Sequence, residues 1–116
     1  MATLRTKETE ARYQKLISEG FLNDGCNLCK APSIMDFEHW RIIGNLFPYD
    51  LIAKVHHMII PKRHITGTDI TETEKQELES LKDEYINQEY SYIIEAVKKG
   101  RSIPGHLHFH LITMRN

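Results

Sequence analysis

Apolar residues recur along the chain at two spacings, and each spacing names an element. Between about Thr6 and Glu19, Ala11, Tyr13, Leu16 and Ile17 fall at roughly helical intervals, and Gly20 stands where a helix end favours glycine. This predicts a first amphipathic helix within residues 1–20. Phe37 to Gly44, with Trp40, Ile42 and Ile43, reads as a short strand broken by Gly44-Asn45 and Pro48. Val55-His56-His57-Met58-Ile59-Ile60, closed by Pro61, reads as another. The two form an antiparallel pair with a long connection, 45–54. Asp69-Ile70-Thr71-Glu72-Thr73-Glu74 offers a capping side chain followed by first-turn acids, and Leu78, Leu81, Tyr85 and Ile86 then recur at three and four residues. A second helix to about Gln88 follows. Tyr90 to Val97 is apolar and partly alternating, 98–105 is a loop, and 106–113 is the last strand. The order α, β-β, α, β-β predicts one α+β domain, 1–116. It has an antiparallel sheet of about four to five strands, two helices and its core in 38–113.

Composition narrows the function classes. A chain of 116 residues divided into two cores would leave each too small to be more than marginally stable. With 15 Lys+Arg against 16 Asp+Glu, the formal charge is −1, which weighs against a broad nucleic-acid footprint. No apolar run approaches the ~20 residues of a membrane span, and Met1-Ala2-Thr3-Leu4-Arg5 lacks the apolar core of a signal peptide. A cytoplasmic protein is therefore expected.

Two residue types stand out. Cys26 and Cys29 form a single Cys-x-x-Cys, too few for a disulfide framework, so metal binding and redox chemistry are the live readings. A redox pair is expected where a strand turns into a helix; residues 24–30, followed by Ala31-Pro32-Ser33, read as a tight turn, which suits a zinc knuckle better. The pair fills only half a tetrahedral site, so two ligands must come from elsewhere, with the histidines as the obvious source.

Of seven histidines, three fall in His106-Leu107-His108-Phe109-His110. In an extended chain these imidazoles share one face, with Leu107, Phe109 and Leu111 on the other. Burying three imidazoles in an apolar core is costly, so the cluster borders a site. Two chemistries suit it: a metal held by several imidazoles, or an imidazole nucleophile flanked by imidazole hydrogen-bond partners. The preceding loop carries Gly100, Gly105, Lys98, Lys99, Arg101 and Ser102, whose backbone amides and side chains suit phosphate.

The segment His106-Leu107-His108-Phe109-His110-Leu111-Ile112 resembles the signature of the histidine triad superfamily. A second block does too: Asn45-Leu46-Phe47-Pro48-Tyr49, followed by His57-Met58-Ile59-Ile60-Pro61-Lys62-Arg63-His64-Ile65. The resemblance spans about residues 26–113. It implies an enzyme that acts on nucleotides at phosphorus, with His108 as the nucleophile of a nucleotidyl-histidine intermediate and His110 contacting the phosphate and leaving group. In the zinc-containing branch, which includes galactose-1-phosphate uridylyltransferase, the corresponding ligands would be Cys26, Cys29, His64 and His106, around a structural zinc. The resemblance further implies an adenine nucleotide as substrate and a homodimer.

Other residues carry plainer readings. Asn45 resembles the family's ribose-contacting position and is equally an ordinary turn residue. Of Phe37, Trp40 and Ile42, one or two are expected to line a base pocket. His56 and His57 face opposite sides of their strand, with at least one expected to be exposed; His39 is expected at the surface. Ser102 stands where many family members carry Gln, which leaves the leaving group open. Two rival functions remain: a metallohydrolase with a catalytic metal on His106, His108 and His110, and a non-catalytic nucleotide-binding module.

Overall fold

A computed structural model describes residues 4–21, 25–97 and 105–115. The chain runs through helix α1 (Lys7–Ser18), the one-turn helix α2 (Asn27–Lys30), strands β1 (Ser33–Asp36), β2 (Trp40–Gly44) and β3 (Ala53–Pro61), helix α3 (Glu72–Leu81), and strands β4 (Tyr92–Ile94) and β5 (Phe109–Met114). The five strands form one antiparallel sheet in the order β1-β2-β3-β5-β4. The α+β expectation holds, with β1 as an unforeseen edge strand.

Alternation in the strands sorts the two faces of the sheet. Trp40, Ile42, Ile59 and Leu111 point to one face and meet Leu78, Leu81 and Ile86. Ile43, Met58 and Ile60 point to the other and meet Leu28 of α2. Helix α3 begins with a complete capping box, in which Thr71 Oγ1 accepts from Glu74 N–H and the Glu74 carboxylate accepts from Thr71 N–H. Beyond Leu81 it continues through a π-helical turn, Lys82–Ile86, to Asn87–Glu89, close to the expected end.

Helix α1 is capped by Thr6, ends at Ser18 and is followed by Gly20 at φ +90, in the left-handed conformation expected of a C-terminal glycine. It is tied to loop 45–52: Asp50 accepts from Thr6 N–H at 2.7 Å and from Thr9 Oγ1 at 2.5 Å, while Tyr13 packs on Phe47. Burial raises the Asp50 pKa, but these hydrogen bonds outweigh it and hold the carboxyl below its usual range. The last strand begins later than expected, at Phe109 rather than His106. The reason lies upstream of Phe109, where Leu107 N–H bonds Ile65 O at 2.7 Å and His106 is drawn toward the cysteines.

Candidate functional site

Two constellations share the α2 side of the sheet. The first joins Cys26, Cys29, His64 and His106, whose ligand atoms all lie within 4.8 Å of one another. His106 Nδ1 sits 3.4 Å from each sulfur, and His64 Nδ1 lies 3.2 Å from Cys29 Sγ. Tetrahedral zinc with ordinary Zn–S and Zn–N bonds places sulfur and nitrogen about 3.6 Å apart, so these donors already lie near the edges of the required tetrahedron. His106 Nε2–H points to Pro61 O at 3.2 Å, leaving Nδ1 as the lone-pair nitrogen, as a metal ligand requires.

The knuckle is a helical turn rather than an irregular one. Cys26 is its N-cap, with its sulfur accepting from Cys29 N–H. Arg41 of β2 fastens it, donating to Ala31 O at 2.6 Å and Leu28 O at 2.8 Å. Burial and the neighbouring Cys26 push the Cys29 thiol up, the opposite of what a reactive redox cysteine needs.

The second constellation is a cleft beside the triad. Its apolar lining includes Phe21, Leu28, Ile43, Phe47 and Met58, and its polar lining includes Arg5, Asn45, Tyr49, His108 and His110. Phe37, Trp40 and Ile42 do not line it; they pack on the opposite face of the sheet, because strand alternation gives Ile43 and Met58 to this side.

The hydrogen bonds assign the tautomers of its imidazoles. His108 Nδ1 lies 2.9 Å from His106 O, which can only accept, so Nδ1 carries the proton and Nε2 keeps its lone pair. Tyr49 N–H donates to His56 Nδ1 at 2.9 Å, so neutral His56 carries its proton on Nε2. That proton is donated to His110 Nδ1 at 2.8 Å. His110 in turn holds its proton on Nε2, 3.4 Å from Tyr49 Oη. Asn45 Oδ1 accepts from Phe47 N–H at 2.8 Å; its Nδ2, 3.2 Å from His56 Nε2, is a donor beside the Nε2–H and makes no hydrogen bond to it. Burial and neighbouring positive charge hold His56 down at about 3 and His110 at about 4. Burial pushes the Tyr49 hydroxyl up.

The three triad histidines are thus committed to three different partners: the cysteines, their own backbone and His56. Of the neighbours His56 and His57, at least one of which is expected to be exposed, His56 is 5 % exposed and links Tyr49 N–H to His110 beside the cleft. His57 is half-buried against the Tyr90 hydroxyl at 2.7 Å. Neither neighbour is exposed, because both faces of β3 are covered. Local pattern announces no role for Arg5, Tyr49 or Arg41; Tyr49 sits in the Pro-Tyr motif, whereas Arg5 carries no local signal. Ser102 lies outside the described residues, as do Lys98, Lys99, Gly100 and Arg101.

No protein-family model matches the sequence, and no curated protein matches it. Solved structures do match. A HIT family hydrolase from Clostridium thermocellum is 25% identical, covering 78% of this chain and 90% of that one with a TM-score of 0.53. A HIT family hydrolase from Legionella pneumophila Philadelphia 1 is 21% identical over 79% and 95%, at 0.55. A histidine triad protein from Clostridium difficile is 19% identical over 86% and 90%, at 0.50. The antiparallel five-stranded sheet with its helices is that of the histidine triad fold.

Proposed function

We propose that the protein is a nucleotide hydrolase or nucleotidyl transferase that works through a covalent intermediate on His108. One observation carries the reading: the bond from His108 Nδ1–H to His106 O, which directs the Nε2 lone pair to a substrate in the cleft. Nε2 attacks the phosphorus of a nucleoside phosphoramidate or dinucleoside polyphosphate. The bond from phosphorus to the leaving group breaks, and the leaving group takes the electron pair and picks up a proton from solvent water. Water then attacks the nucleotidyl-histidine and gives up a proton to solvent, the P–N electron pair returns to Nε2, and a nucleoside monophosphate leaves with His108 neutral again, its proton still on Nδ1. His110 Nε2–H is the donor toward the phosphate and leaving group, and Asn45 and Ser102 are the substrate contacts. In the same reading Cys26, Cys29, His64 and His106 hold zinc. Bound there, zinc supplies a rigid cross-link with no open coordination position. The likeness to histidine triad hydrolases supports a nucleotide substrate, and we extend it to adenine and to a homodimer.

The test is incubation with adenosine phosphoramidate, dinucleoside polyphosphates and an adenylated lysine, followed by intact mass. A nucleotidyl adduct is expected on the native chain. His108→Asn should lose adduct and turnover while keeping its metal. A variant with full activity overturns the nucleophile, and loss of metal favours a catalytic metal on the triad. Tight nucleotide binding without turnover by the native chain marks a binding module instead.

A further inference from the structure

Transfer at phosphorus spreads negative charge over the equatorial oxygens, so a competent site must set positive charge beside them. His56 and His110 do not supply it, since each is fixed in a neutral tautomer by the bond from Tyr49 N–H onward. Among the described residues that line the cleft, Arg5 is the one bearing a guanidinium or ammonium group.

Arg5 is built in. Its side chain is 15% exposed; Nε donates to Phe47 O at 2.8 Å, and Nη1 meets Glu10 Oε1 at 3.3 Å. The guanidinium carbon sits 4.4 Å from the Tyr13 ring centre and 5.0 Å from that of Tyr49. Tyr49 in turn lies 5.0 Å, ring to ring, from His110. A pre-oriented guanidinium is well matched to phosphate oxygens, and stacking fixes its plane before the ligand arrives.

We propose that Arg5 contacts the phosphoryl oxygens of the bound nucleotide, so that the segment leading into α1 completes the site. The assignment rests on the nucleotide reading above. Its rival is a structural role, as a clamp between α1 and loop 45–52. Arg12 serves as control: it makes the same kind of clamp, donating to Leu46 O at 2.9 Å and stacking 5.4 Å from Phe47, but does not line the cleft.

The experiment compares binding of nucleoside monophosphates and the matching nucleosides, across four bases, to the native chain, Arg5→Met and Arg12→Met. The native chain should prefer the monophosphate. Arg5→Met should lose about tenfold or more of that preference while binding the nucleoside as before. Arg12→Met should keep the preference. Arg5→Gln, which retains a donor for the Phe47 carbonyl, repeats the measurement if Arg5→Met does not fold. An unchanged preference in the Arg5 variants overturns the proposal, as does an equal loss for monophosphate and nucleoside. If the native chain binds neither, the nucleotide reading fails and takes the Arg5 assignment with it.

Discussion

His56 and His110 share one proton across 2.8 Å, and its direction is set from outside the pair by Tyr49 N–H. Protonating either ring a second time would face one N–H with another in a buried place. This gives a pH dependence whose sign can be worked out. An unfolded histidine titrates near ~6.5, whereas in the fold His56 titrates at about 3 and His110 at about 4. Between those values the unfolded chain binds more protons. The stability contributed is therefore complete above about pH 6.5 and is lost as pH falls toward 4. Glu74 acts in a lower window. The hydrogen bond from Arg63 is the main cause that holds it at about 2, so its contribution is lost only as pH drops through that value from the usual carboxylate range. The urea midpoint should fall steadily from pH 7 to pH 4.5, and His56→Asn should flatten that fall. A midpoint constant from pH 7 to pH 5 would contradict the tautomer assignment.

At the scale of elements, what is legible in the sequence is what periodicity can carry. Thr71 and Glu74 announce the start of α3, and the alternation of Trp40, Ile42 and Ile43 announces β2. Strand β1 is not legible because all four of its residues are exposed, so no alternation marks it. The site divides in the same way. The triad and the cysteines are visible as motifs. The roles of His56, Tyr49 and Arg5 arise only when β3, loop 45–52 and α1 meet, which no local pattern encodes. Arg41 is a further case: it reads as a polar position on a strand, yet its guanidinium gathers carbonyls at the end of α2. Of these, Leu28 O also accepts from Ala31 N–H at 3.3 Å, so the guanidinium reinforces the end of the turn from the strand side. Arg41→Met should therefore loosen the knuckle and weaken retention of zinc by roughly 10- to 100-fold, as loss of an outer-shell partner typically does. Titration against a competing chelator measures this. Unchanged affinity would show that Arg41 only decorates the turn.

Over the whole molecule, the Cys and His quartet joins three parts of the chain that are far apart in sequence: the α2 knuckle, the segment after β3 that carries His64, and the lead-in to β5 that carries His106. Two of these matter to the cleft. His106 is 1% exposed, and its carbonyl orients His108, so whatever fixes His106 also fixes the nucleophile of the proposed reaction. Leu28, the neighbour of both the knuckle sulfurs and the cleft, is the apolar anchor of α2 in the sheet. Zinc held by the quartet, as proposed, would form a four-ligand cross-link in the folded chain alone and add its binding energy to folding. Removing it from a small domain should lower the melting temperature by about 10 °C or more, since ~1 kcal/mol moves a domain near this size by several degrees. Differential scanning calorimetry before and after chelation, with metal content measured on both samples, gives the answer. Cys29→Ser should reproduce the drop and His108→Asn should not. An unchanged transition in a chain shown to have lost its metal would separate the quartet from stability, leaving its task as the placement of His106.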